Sequence, residues 1–261
     1  MLTSVLNTIK SVAQTEIMPR YLKVARQQKS DGSLFTEADV SSQAALVSLL
    51  REVSDCPVLG EEMPDERQHA LWLEANESGL WCIDPIDGTS NFVNGLPYFG
   101  VSVGLVRHGV CVLGAVYDPV ADEMFYAERG LGAYLNGVRL PLKTQPPLLR
   151  HAIASVDFKR LTKDLARELA AAPPFASQRN FGASALDWCY TAAGRFDLYL
   201  HGGQKLWDYV AGALILEEAG GMMCTLTHDD FHQDNLWKRS VIAASNPELF
   251  QEWKAWIREK Q

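Results

Sequence analysis

The stretch Trp81-Cys82-Ile83-Asp84-Pro85-Ile86-Asp87-Gly88-Thr89-Ser90-Asn91-Phe92 narrows the folds open to this chain more than any other. An apolar run of β character, Leu80 to Ile83, stops at an aspartate, and a proline, a second aspartate and Gly88-Thr89 follow. This pattern reads as a strand that ends in a metal-and-phosphate loop. Two carboxylates spaced this way can share a hard cation, and oxygen donors suit Mg²⁺. Pro85 fixes its own φ and keeps the residue before it extended, so the Asp84 carboxylate is aimed. Gly88 lets the backbone approach a ligand, and N–H groups at such a turn attract anions. The same letters also spell an ordinary Asp-Pro, Asp-Gly turn whose carboxylates bond only to backbone. The rest of the chain decides between the two.

With 261 residues and 47% hydrophobic content, the chain can bury one large core or two small ones. Its formal net charge is −8 and no basic run interrupts it. Nucleic-acid binding depends on phosphate neutralisation by Lys and Arg, so no direct nucleic-acid partner is expected, nor a polybasic membrane contact. An acidic protein that handles an anionic substrate needs a cation between the two. Cys56, Cys82, Cys111, Cys189 and Cys224 are widely spaced in apolar surroundings and show no zinc-site spacing. Reduced core thiols in a cytoplasmic protein are the expectation. The N-terminus lacks the apolar core of a signal peptide, and no segment is long enough to span a bilayer.

In chain order, Leu2, Val5, Leu6, Ile9, Val12 and Ile17 predict an amphipathic helix over about residues 3 to 27. Lys29 to Ser33 follows as a polar loop. A second helix starts near Thr36, where Thr36-Glu37-Ala38-Asp39 resembles a capping box. Cys56 to Leu59 reads as a short strand ending in Gly60-Glu61-Glu62, and residues 63 to 79 as irregular. Tyr98 to Val106, Val110 to Tyr117 and Glu123 to Glu128 predict an antiparallel sheet, with a tight turn at Asn136-Gly137. Pro146-Pro147 marks a boundary, dividing an N-terminal part, 1–145, from a C-terminal part, 146–261. Beyond it come a strand at 153–156, helices at 161–171 and 184–193, and a strand at 196–200. A helix at 206–219 closed by Gly220-Gly221, a strand at 241–244 and a C-terminal helix capped by Asn246-Pro247 complete the chain.

Carboxylates recur where a strand meets a loop or helix: Asp39, the pair Glu61 and Glu62, the pair Asp84 and Asp87, and Asp208 at a helix start. Each has an ordinary role open to it, a cap for Asp39 and a helix-end charge for Asp208. Gathered together, they would repel by roughly 4 kcal/mol per pair at 4 Å, and the fold would need cations or protons to offset this.

Asp84-Pro85-Ile86-Asp87-Gly88-Thr89 with Asn91-Phe92, Gly60-Glu61-Glu62, Trp207-Asp208, Glu218-Ala219-Gly220-Gly221 and the segment Gly130 to Gly137 resemble the inositol monophosphatase family. The resemblance implies Mg²⁺-dependent, lithium-sensitive phosphatases of an α/β (α+β) class, a layered α-β-α-β-α sandwich that is usually dimeric, with two or three ions per site. Glu61, Asp84 and the Ile86 carbonyl match ligands of a first metal; Asp84, Asp87 and Asp208 match those of a second. Asp39 lies in the Thr-x-x-Asp segment near a third, weaker site. Gly88 and Thr89 match the amides that hold phosphate, and the Thr89 hydroxyl, with Glu61 and Asp39, matches groups that orient or deprotonate the attacking water. Ser184 and His201 fall at substrate-side positions, with Asp87, Gly88, Thr89 and Asp208. His201 stands where inositol-cleaving members carry a glutamate; Ser184 replaces a common alanine, Ser90 a threonine and Met63 a serine.

The expected partner is therefore a small phosphorylated substrate such as inositol monophosphate or another polyol phosphate. Nucleotide bisphosphate, histidinol phosphate and fructose 1,6-bisphosphate hydrolysis are rivals on the same fold. A regulatory protein that keeps the fold but acts by binding is a rival from another class. His228 and His232 have helical spacing, but their polar neighbours read as a surface loop, and no His-Glu-x-x-His zinc motif occurs.

Overall fold

The computed structural model describes residues 1–23, 27–28, 34–143 and 147–261. The polar loop expected over Lys29 to Ser33, and Pro146 of the expected boundary, lie outside the described residues. Helix α1 (Leu2–Val12) buries Val5, Ile9 and Val12 on one face. The predicted helix ends earlier than expected: a π turn (Ala13–Ile17) and a 3₁₀ turn (Met18–Arg20) follow, and Tyr21 is extended at ψ 131°. Pro19 cannot donate the next ladder bond, which accounts for the tightened end. A two-residue ribbon, β1 (Gln27–Gln28) with β2 (Leu34–Phe35), leads to α2 (Glu37–Val53). The capping box of α2 is formed on both sides: Ala38 N–H donates to Thr36 Oγ1, and Thr36 N–H donates to the Asp39 carboxylate at 2.7 Å.

Strands β3 (Val58–Gly60), β4 (Leu80–Asp87), β5 (Gly100–Arg107), β6 (Val110–Asp118), β7 (Glu123–Glu128), β8 (Gly132–Leu135) and β9 (Val138–Arg139) form one seven-stranded sheet in sequential order. Only β3 and β4 run parallel. Between them, where an irregular segment was expected, lies α3 (Asp65–Ala75). Asp65 and Glu66 suit its first turn, but it buries only Gln68, Leu71 and Ala75, too narrow a stripe to signal a helix. The Asn136-Gly137 turn has positive φ at both residues, as a tight hairpin requires.

The second sheet holds β10 (Ile153–Asp157), β11 (Ser177–Arg179), β12 (Leu198–Gln204), β13 (Met222–Cys224) and β14 (Arg239–Ala244), ordered β11-β10-β12-β14-β13. β11 and β13 were not foreseen, being three residues long. The accompanying helices are α4 (Thr89–Asn94), α5 (Lys163–Ala171), α6 (Ser184–Ala192), α7 (Leu206–Glu218) and α8 (Pro247–Lys260).

Strand alternation sorts the core into three apolar layers. Val5, Leu46, Trp81, Ile83, Val103 and Ala115 join α1 and α2 to one face of the large sheet. Cys82, Phe125, Trp188, Leu214, Tyr199 and Val241 fill the space between the sheets, where α6 and α7 lie. Val156, Leu200, Ile242, Leu165 and Trp253 pack α5 and α8 on the outer face of the small sheet. The result is an α-β-α-β-α stack. Residues on both sides of the expected boundary share the middle layer. Helix α7 is seated directly on β6: a Cβ at Gly114 would stand 2.8 Å from the Ala211 carbonyl oxygen. Among the described residues no helix is long and apolar enough to cross a membrane.

Candidate metal and phosphate site

Strand β4 does not stop at Ile83. Its pairing with β5 continues to Asp87, with Asp84 opposite Ser102 and Asp87 opposite Gly100. Three steps on β4 thus match two on β5, a one-residue bulge. The bulge explains how both carboxylates reach one site. In a regular strand, residues an odd number apart face opposite sides, and one inserted residue restores them to the same side. Ile86 N–H donates to Asp84 Oδ1 at 3.0 Å, and Ala185 N–H at the start of α6 donates to Asp87 Oδ2 at 2.7 Å.

Asp208 arrives from the first turn of α7. Its Oδ2 accepts the Lys205 N–H at 2.9 Å, so it caps its helix as well as facing the site. Carboxylate oxygens of Asp84, Asp87 and Asp208 lie within 4.8 Å of one another. Glu61, just beyond β3, is not part of that trio, but its carboxyl hydrogen-bonds that of Asp84. Asp39 lies behind Thr89: the Thr89 hydroxyl is 3.2 Å from Asp39 Oδ1 and 3.1 Å from the Ile86 carbonyl oxygen.

Burial pushes Asp84 well above the usual carboxylate range, and the neighbouring charges of Glu61, Asp87 and Asp208 add to it. Asp87 is raised by burial and then by Asp208. Asp208 is raised to about 7, by burial and then Glu61, against the Lys205 N–H. Asp39 is raised to about 6 by burial, although its bonds from Thr36 favour the charged form. Among the described residues no Lys or Arg forms an ion pair with Asp84, Asp87 or Asp208. Three crowded carboxylates, all oxygen donors and with no ion-paired base among the described residues, fit a hard divalent ion such as Mg²⁺.

Gly88 links the trio to α4 with φ of 88°, in the left-handed region. A Cβ there would stand 3.0 Å from Ala183 Cβ and 3.2 Å from the Tyr98 carbonyl oxygen. Gly88→Ala is therefore expected to lower the unfolding free energy by about 2 kcal/mol. An unchanged denaturant midpoint would contradict this reading of the turn.

A cleft of about 1050 Å³ opens over the trio. It is lined by every residue expected at the site except Asp39: Glu61, the segment Asp84 to Thr89 without Pro85, Ser184, His201 and Asp208. Ser184 begins α6, with its side chain beside Tyr199. His201 is 3% exposed and lies inside β12, not at a strand end. Its Nδ1 accepts the Gly203 N–H at 3.1 Å, so Nε2 carries the proton, 3.1 Å from Asp157 Oδ2. Asp157, Lys159, Arg160 and Lys205 also line the cleft and were not foreseen. Asp157 ends strand β10, so the strand-end rule applied to the other carboxylates finds it too. His228 and His232 sit outside any α-helix.

The whole chain, residues 1–261, matches the sequence profile described as "Inositol monophosphatase family". It is 37% identical over 202 residues to "Nus factor SuhB" of Pasteurella multocida, covering 75% of this chain and 73% of that one. It is 36% identical over 211 residues to "Fructose-1,6-bisphosphatase/inositol-1-monophosphatase" of Aquifex aeolicus, covering 78% and 76%. The solved structure of a Thermotoga maritima IMPase superposes with a TM-score of 0.79 at 28% identity, over 98% of each chain.

Proposed function

The chain belongs to the inositol monophosphatase family, and on that footing we propose that it is a Mg²⁺-dependent phosphatase that hydrolyses small phosphomonoesters. The observation that carries the reading is the carboxylate trio within 4.8 Å, beside the Gly88-Thr89 turn. Asp84, Asp87 and Asp208, with Glu61 and the Ile86 carbonyl, would hold two or three ions. Such ions neutralise phosphate oxygens and lower the pKa of water. The chain's own groups do the rest. The Gly88 and Thr89 amides hold the phosphate. The Thr89 hydroxyl has one proton and two acceptors, Asp39 and the Ile86 carbonyl. While it donates to either, its oxygen can accept a hydrogen bond from the attacking water. Asp39, raised to about 6, is largely ionised at neutral pH and is placed to take up a proton through Thr89. The water oxygen bonds to phosphorus, the ester P–O bond breaks, and the leaving alkoxide takes its proton from solvent water. Ser184 and His201 lie on the alcohol side.

Purified protein with millimolar Mg²⁺ is expected to release phosphate from at least one member of a panel of inositol, sugar and nucleotide phosphates. Chelation should stop the reaction and lithium should inhibit it. If no ester in the panel is cleaved, the proposal fails. The Pasteurella relative carries the name of a Nus factor. A binding role beside catalysis is thus a second reading, in a cytoplasmic homodimer. It would survive Asp84→Asn, whereas turnover would not.

A further inference from the structure

Around His201 the cleft presents Lys159, Arg160 and Lys205, in a lining that elsewhere is acidic, with Glu62, Asp65 and Glu66. Asp157 and His201 are register partners on adjacent parallel strands, β10 and β12, and share one face. The turn that follows β10 is pressed onto β12 because position 202 has no side chain. A Cβ on Gly202 would stand 1.8 Å from the Arg160 carbonyl oxygen. This contact brings Arg160 beside the pair: its Nη1 is 2.7 Å from Asp157 Oδ2 and 3.4 Å from His201 Nε2.

The donor count then decides what this wall can bind. Asp157 already receives three donors: Lys159 N–H at 2.8 Å on Oδ1, and Arg160 and His201 on Oδ2. Both ring nitrogens of His201 are engaged, one by Gly203 and the other by Asp157. Arg160 is different. A guanidinium has five N–H donors, and among the described residues only the Asp157 carboxylate and the His201 ring lie within reach of one of its nitrogens. Its side chain remains 52% exposed in the cleft. Lys159 and Lys205 line the same cleft without an ion pair among the described residues. Arg160 and Lys205 both act on Asp208 through their charge, so they flank the trio on its α7 side.

We propose that Arg160, held by Asp157 and aided by Lys159 and Lys205, binds a second anionic group on the substrate. The preferred substrates are then small phosphomonoesters that also carry another phosphate or a carboxylate, ahead of neutral polyol monophosphates. Asp157 is a positioning residue here: it fixes the guanidinium and does not touch the ligand. The inference rests on the phosphatase reading above and sharpens it. A charge-assisted, forked contact of this kind discriminates by about tenfold or more.

The test compares kcat/KM on fructose 1,6-bisphosphate, 3-phosphoglycerate and inositol 1-phosphate at fixed Mg²⁺ and ionic strength. The first two separate a phosphate from a carboxylate as the second anion. At least one should exceed inositol 1-phosphate by about tenfold. Arg160→Gln should shrink that ratio about tenfold, mainly through KM, and Asp157→Asn should shrink it less. Lys163→Gln makes the same change of charge on the exposed start of α5 and should leave the ratio as it was. Preference for inositol 1-phosphate, or a ratio indifferent to Arg160→Gln, would overturn the inference and leave the phosphatase reading standing. If no ester is cleaved, that reading fails. Calorimetric binding of fructose 1,6-bisphosphate against inositol 1-phosphate, to wild type and Arg160→Gln with Mg²⁺, then decides this inference by the same ratio.

Discussion

Asp84→Asn is expected to reduce Mg²⁺-dependent phosphate release by about 10³-fold or more, while the metal-free protein melts at a higher temperature than wild type. The activity loss follows from the position of Asp84 at the centre of the cluster, with Glu61, Asp87 and Asp208 all acting on it. Removing one anionic oxygen donor forfeits several kcal/mol of charge stabilisation, and each 1.36 kcal/mol is tenfold in rate. The stability gain has the same origin. Asp84 is 1% exposed and its charged form is disfavoured by burial and by three like charges. An amide of the same shape removes that repulsion, the usual trade between a strained site and fold stability. Phosphate release and metal-free thermal unfolding, measured on one preparation, check the pair of outcomes. Retention of more than a tenth of the wild-type rate, or a lower metal-free melting temperature, would sink the assignment.

The second large effect is the pH dependence of the metal-free fold. Asp39 is raised to about 6, Asp208 to about 7, and Asp84 and Asp87 well above the ordinary value of 3.8. A raised carboxyl pKa means that the folded state holds its proton more tightly than the unfolded chain does. The stability this contributes is fully present below the unfolded value and is lost as pH rises through the folded one. Metal-free protein should therefore lose stability steadily from about pH 4 to beyond pH 7. Asp208 alone accounts for on the order of 3 kcal/mol, allowing for its partial exposure. Millimolar Mg²⁺ should restore the loss at pH 8, because a ligand that binds only the folded state stabilises it by mass action. Asp187, raised to about 7 mainly by burial, hydrogen-bonds Tyr98 outside the trio, so a residual slope should persist with Mg²⁺ present. Melting curves from pH 5 to 8 with and without Mg²⁺ decide the matter. A metal-free midpoint that does not fall with pH would count against a clustered, uncompensated site.

Much of this could be read from letters alone, for physical reasons that differ residue by residue. Asp39 announces itself through Thr36, because a capping box is a local signal, and α7 through its closing glycines. The order of strands from β5 to β9 follows from alternation and turn residues. What the letters did not reveal depends on partners distant in sequence. Alternation alone sets Asp84 and Asp87 on opposite faces; only pairing with β5 discloses the bulge that reunites them. Helix α3 hides behind a polar sequence because it buries so little. His201 looks like a strand end until β14 pairs with β12 past it, between Gln204 and Arg239. Asp157 and Arg160 have no short motif of their own, and their relation to His201 exists only across two parallel strands.

Helix α7 carries Asp208 in its first turn and rests, at Ala211 one turn further on, against the bare backbone of Gly114. The floor of the middle layer thus works as a machined seat, and its clearance sets the reach of a carboxylate one helical turn from the contact. A single methyl group added beneath the helix would act as a shim, lifting the whole rod and with it the oxygen that closes the trio. A change at this plain-looking position would therefore be felt as misalignment of that oxygen.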